Sequence, residues 1–241
     1  MAIGLIFLLA GFTQGASGFG SSLVAMPLLT LFMDVQTAVP LCMLNSLLIT
    51  LCLSLQLRRH IEWARIKPLL IGCLPGILFG IFVLKNVSNS VLQICLGLLV
   101  VGYALYSLLL TKRQYSGELS SLWAYLAGFL TGGIGSSLGA GGPPTIIYVS
   151  LTAWTNDEIK ATLSIFFFIA GVFVALGHAV SGLTTGIILR QLMYSAPFTV
   201  IGVLGGIMLY SRINRRYYIK TMLWLLLFMG IAMLIGGVRG C

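Results

Sequence analysis

The residues best placed to do chemistry in this chain are glycines and hydroxyls, densest in "GFLTGGIGSSLGAGGPPTIIYV" (128–149), which holds seven glycines, a proline pair and no charged residue. Such a composition breaks a helix. A break leaves backbone N–H groups unpaired and exposes the positive end of a helix dipole, about half a unit charge, and both features suit an anion. Pro143 and Pro144 lack N–H but fit the first turn of a new half-helix. The predicted donors are therefore the amides of residues 139–142, Gly139, Gly141 and Gly142 among them, and of Thr145, with the hydroxyls of Ser136, Ser137 and Thr145. An earlier stretch, "GFTQGASGFGSSLVAMPLL" (11–29), offers Gln14, Ser17, Ser21 and Ser22 as counterparts. Asn45 and Ser46 are polar in an apolar run, as is Ser164, and either a substrate path or interhelical hydrogen bonding accounts for them.

Other residue types contribute less. His178 is the one ionisable side chain inside an apolar run, close to a helix end, so a proton carrier and an interfacial residue are both open readings. Asp34 and Asp157 precede matching helices and read as N-caps. Arg65 and Arg190 begin matching crossings, where they either attract an anion or anchor the helix by snorkelling. Cys42, Cys52, Cys73, Cys95 and Cys241 lack metal-ligand spacing and read as small hydrophobes, so no metal and no cofactor is expected. A hydrolase would need parts that are missing: there is no GxSxG, no HExxH and no aspartate pair in an apolar run, and His60 and His178 are the only histidines.

Elements that position a broken helix follow from the solvent. With 59% hydrophobic and 8% charged residues and a mean hydropathy of +1.05 over 241 residues, the expectation is an all-α polytopic membrane protein in the lipid bilayer. The net charge of +9 sits in short clusters between apolar runs, which marks cytoplasmic loops rather than nucleic-acid binding. The amino-terminal run lacks a basic region, so a cleaved signal peptide is not expected. Six runs, 36–57, 66–84, 90–110, 158–180, 187–210 and 218–238, have the length of about 20 residues that a crossing needs. Two runs, 1–33 and 120–153, would form helices about 50 Å long and must break into hairpins, each either two full crossings or a re-entrant pair. Arg58, Arg59, Arg65 and Lys67, then Lys112 and Arg113, then Arg212, Arg215, Arg216 and Lys220 assign loops to the cytoplasm, which leaves both termini outside.

The two hairpins match one another. Gly128 and Gly11, Gly132 and Gly15, Gly135 and Gly18, and Pro144 and Pro27 are each 117 positions apart. The division is then 1–115 and 116–241, each a Gly-rich broken-helix hairpin plus three transmembrane helices, and an odd number of crossings inverts one half against the other. Glycines at GxxxG spacing, such as Gly11/Gly15, Gly76/Gly80, Gly128/Gly132 and Gly202/Gly206, also serve close helix packing. The paired motifs resemble those of the sulfite exporter TauE/SafE family, over the chain from Met1 to about Gly237. Its motif positions fall on Gly11, Gly15, Gly18, Gly20 and Pro27, then Gly128, Gly132, Gly135, Gly141, Gly142, Pro143 and Pro144, with Ser21 and Ser22 where the family often has glycine. The resemblance implies a multi-pass carrier in the cell (inner) membrane for small sulfur-containing or organic anions such as sulfite, sulfonates or sulfoacetate. A passive anion channel of the same architecture is the alternative, and a homo-oligomer stays open.

Overall fold

The computed structural model describes residues 2–56, 62–109, 120–152, 154–209 and 215–239. These form ten helices: α1 (Ala2–Ser17), α2 (Ser21–Leu29), α3 (Val35–Gln56), α4 (Trp63–Asn86), α5 (Asn89–Leu109), α6 (Ser121–Leu138), α7 (Gly142–Ser150), α8 (Asn156–Val180), α9 (Gly186–Leu209) and α10 (Arg215–Arg239). Six segments are long and apolar enough to cross a membrane: Val35–Gln56, Trp63–Asn86, Asn89–Leu109, Glu158–Val180, Gly186–Leu209 and Lys220–Gly237. Arg58, Arg59, His60, Lys112, Arg113, Arg212 and Cys241 lie outside the described residues, as do the side chains of Asp157, Arg215 and Arg216.

Both long glycine-rich runs break where expected. α1 ends at Ser17, and α2 restarts at Ser21 after Gly18 and Gly20, whose φ values of 87° and 97° only glycine adopts without strain. α6 ends at Leu138, Gly139 turns at φ 69°, and α7 restarts at Gly142 with its prolines in the first turn. The hairpins are lopsided. α2 and α7 have nine residues each, about 14 Å at 1.5 Å per residue, half of a bilayer core. This selects the re-entrant form over two full crossings. It also corrects one pairing from the sequence: Pro27 is the seventh residue of α2 whereas Pro144 is the third of α7.

Helices associate at two glycine seams. On α4 and α6, Gly72, Gly76 and Gly80 lie against the carbonyls of Tyr125, Phe129 and Gly133, while Gly128 and Gly132 lie against those of Leu69 and Cys73. On α1 and α9, Gly11 and Gly15 meet the carbonyls of Thr199 and Val203, and Gly202 and Gly206 meet those of Leu8 and Phe12. A Cβ at any of these positions would strike its neighbour's backbone. Lipid tails are as apolar as leucine, so close backbone contact rather than the hydrophobic effect holds such helices together. α5 packs on α10 and α3 on α8. Large apolar side chains such as Leu78, Val180, Met193 and Phe228 cover the exterior, as a lipid-facing surface requires.

Contacts also fix directions. Positions rise together along α4 and α6, and along α1 and α9, so each pair is parallel. Gly97 and Gly237 on the α5–α10 pair meet Leu234 and Ile94, which makes those helices antiparallel. Gln36 at the start of α3 donates to Leu84 and Val87 at the end of α4, so α3 opposes α4. The α8 cap departs from expectation: Thr155, not Asp157, is the N-cap, in a capping box with Glu158. Asp34 does precede α3, and its carbonyl accepts from Thr37 and Ala38, but the Val35 amide donates to Asn89 Oδ1 at 2.7 Å.

Candidate functional site

The two breaks face one cavity of about 80 Å³. From the first hairpin come Gln14 on α1, the turn residue Gly20, and Ser21, Ser22 and Leu23 of the α2 first turn. The second hairpin contributes Thr131, Gly132 and Gly135 on α6, then Gly141 and Gly142 at the start of α7. Met43, Ser46, Leu47 and Thr50 on α3 form one wall, and Phe167, Ala170, Gly171 and Val174 on α8 the other. A single water needs only about 10–15 Å³ measured this way, so a molecule of several heavy atoms fits.

Donors converge here for a local reason. The first hydrogen bond of α2 runs from Val24 N–H to the Gly20 carbonyl, so the amides of Ser21, Ser22 and Leu23 have no helical partner. Gly20 has no side chain to cap them. The α7 end is poorer, because Pro143 and Pro144 have no N–H and leave Gly142 as the donor of that turn. The two half-helix ends are therefore unequal, with the α2 end richer. Side chains add to it: Ser21 donates to Gln14 Oε1, which leaves the N–H groups of that carboxamide as its donors, and the Ser22 and Ser46 hydroxyls lie 3.3 Å apart. No carboxylate lines the cavity, and the opposite wall is apolar.

Of the residues assigned to substrate from sequence, Gln14, Ser21, Ser22, Gly141 and Gly142 line this cavity. Six others lie off its lining, each with a structural partner. Ser17 donates to the carbonyls of Thr13 and Phe19. Asn45 donates to Leu41 O and accepts from Ser195 at 3.0 Å and Thr199 at 2.7 Å, tying α3 to α9. Ser136 donates to Ile77 O and Gly132 O, and Ser137 to Gly133 O. Gly139 spends its amide on Gly135 O. The Thr145 hydroxyl pairs with Thr131 at 2.6 Å, joining α7 to α6. Besides these six, Ser164, open between a substrate path and interhelical bonding, donates to Lys160 O within α8 and is also off the lining.

Several lining residues escaped sequence reasoning. Thr131 stands 117 positions after Gln14, so the repeat arithmetic alone could have found it; Thr50 and Phe167 carried no such signal. Lys160 lies off the lining, with its aliphatic stem packed across the Gly18 turn. Arg65 is not a free vestibule charge. It pairs with Glu62 at 2.7 Å and Glu158 at 3.3 Å, and its guanidinium lies 4.7 Å from the Trp154 ring centroid.

Paired glycine-rich breaks meet at one cavity, on an all-helical chain with six segments long and apolar enough to cross a membrane. The chain matches the family model described as sulfite exporter TauE/SafE over residues 3–233. It belongs to the sulfite exporter TauE/SafE family. No curated protein and no solved structure matches it. Membership in the TauE/SafE family makes this a multi-pass membrane protein of a transporter family. The TauE/SafE match leaves out only the first two and the last eight residues, so the cavity lies wholly inside the matched region.

Proposed function

We propose that the protein is a secondary transporter of small sulfur-containing or organic anions, of the sulfite, sulfonate and sulfoacetate class, in the cell (inner) membrane. It works by alternating access between the halves 1–115 and 116–241. The observation that carries this reading is the meeting of two half-helix N-termini on one cavity that contains amides and hydroxyls but no carboxylate. Dipole ends of that sign hold an anion and repel a cation. The apolar wall suits the short carbon chain of a sulfonate.

Helix directions support inverted halves. α1 runs with α9 and α6 with α4, and α5 opposes α10, so elements five apart in order point oppositely. Rocking one such half against the other exposes a shared site to each side in turn. The test is counterflow in proteoliposomes. Vesicles preloaded with unlabelled sulfite, methanesulfonate or sulfoacetate should take up the labelled anion transiently and saturably, while size-matched cations and neutral solutes do not compete. Uptake without counterflow would instead describe a passive anion channel, and no anion flux at all would sink the proposal.

A further inference from the structure

We infer that His178 is the proton-binding site that couples anion movement to a proton gradient, because its buried imidazole stands one helical turn beyond the α8 wall of the cavity, between two helix C-termini. This deepens the transporter reading above and rests on it.

His178 is wholly buried, with 0% of its surface exposed, although it stands in the last turn of α8. Its ring is thus enclosed by protein rather than exposed at the helix end. Its Nε2 lies 2.9 Å from the Ser136 carbonyl oxygen near the end of α6, and a carbonyl only accepts, so the proton of the neutral ring is on Nε2. Nδ1 has no partner and is buried. Buried polar atoms are nearly always paired, so the lone pair on Nδ1 stands out as a position with nothing but a proton to take.

Place and field both favour that uptake. Phe167, Ala170, Gly171 and Val174 line the cavity from α8, and His178 follows Val174 by four residues, one turn further along the same face. Ser136 likewise follows Gly135, a lining residue of α6. The imidazole therefore sits one helical turn beyond the α8 wall of the cavity, outside its lining. α6 and α8 both end beside it, and the negative end of each helix dipole stabilises imidazolium. An anion in the cavity adds to the same field.

Competing charges are sparse. The helices packed on α8 are α3, α4, α6 and α7. Their described titratable groups are Cys42 and Cys52 on α3, Arg65, Lys67, Cys73 and Lys85 on α4, Tyr125 on α6 and Tyr148 on α7. None hydrogen-bonds the ring. Lys85 comes nearest in register, one turn beyond Ile81, whose side chain abuts Gly177, and it is exposed. Histidine is the side chain whose ordinary titration falls between pH 5 and 8, the span of a physiological gradient.

The chemistry is one proton bound per anion bound: Nδ1 gains the proton on the acidic side and gives it up on the alkaline side, with no other bond made or broken. A monovalent anion moving with one proton accumulates about tenfold per pH unit at equilibrium, toward the alkaline side.

Proteoliposomes with an alkaline lumen, labelled methanesulfonate and labelled sulfoacetate test this, because neither anion changes charge between pH 6 and 8. The parent protein should accumulate label in proportion to the gradient and lose it when an ionophore collapses the gradient. His178→Gln keeps a donor for the Ser136 carbonyl but cannot titrate, so its gradient-driven accumulation, normalised to its own counterflow, should fall to the level without a gradient. Counterflow in the parent without gradient-driven accumulation overturns the proton site and leaves the transporter reading intact. No counterflow in the parent overturns the transporter reading itself. Should His178→Gln fail to fold, proton uptake by the purified parent on adding methanesulfonate in weak buffer decides, with about one proton per site expected and none overturning the proposal. Undiminished normalised accumulation in His178→Gln also overturns it.

Discussion

At the scale of single residues, hydroxyls divide by what they already hold. Ser22 lies at the α2 first turn and lines the cavity, with the Ser46 hydroxyl at 3.3 Å and the Cys42 thiol as its neighbours, whereas Ser137 spends its hydroxyl on the Gly133 carbonyl at 2.6 Å. Hydrogen bonds to charged groups are worth about 1.5–3 kcal/mol, so Ser22→Ala should weaken sulfonate affinity roughly 10- to 150-fold. Ser137→Ala should leave affinity within about twofold, since the bond it loses is within α6 and off the cavity. Competition binding on both purified variants compares them. Equal losses would mean that the cavity does not hold the anion. The two serines look alike in sequence, each the second of an SS pair, and only their hydrogen bonds separate them.

At the scale of elements, the glycine seams govern stability. Gly80→Ala carries a packing cost, because its Cβ would strike both the Gly133 carbonyl and Ser136 Oγ. Backbone cannot yield as a flexible side chain does, and overpacking of this kind costs about 1–3 kcal/mol. Gly102 on α5 has open space around its missing Cβ, so Gly102→Ala should be neutral or slightly stabilising by helix propensity. Thermal unfolding in detergent should show a lower midpoint for the first variant and an unchanged or higher one for the second. Gly141 belongs with Gly80: a Cβ there would meet the Thr131 carbonyl and the Gly135 backbone, so Gly141→Leu should impair folding of the hairpin as well as transport.

At the scale of the whole molecule, orientation is the open prediction. The helix directions require the α4–α5 connection and the α8–α9 connection to share one side of the membrane, because α4 and α8 run parallel. The basic loops place that side outside. Single cysteines at Asn86 and Gly182, on a background freed of the native cysteines, should both react with an impermeant reagent added to intact cells, and one at Ser120 should not. Opposite accessibility of Asn86 and Gly182 would break the parallel arrangement. The sequence by itself determined the solvent, the six long crossings to within about three residues at each end, the two breaks and the family, because hydropathy, run length and glycine–proline punctuation are local properties of a chain in lipid. Tertiary structure alone decided which polar groups face the cavity. Asn45, Ser136 and Thr145 were legible as polar residues in apolar runs, yet each spends its hydrogen bonds on a neighbouring helix or turn, while Ser46, Thr50 and Thr131 reach the cavity. The azimuth of a buried polar group is set by which helix packs beside it, and in this molecule the glycine seams make that choice through contacts some 60 and 190 positions apart along the chain.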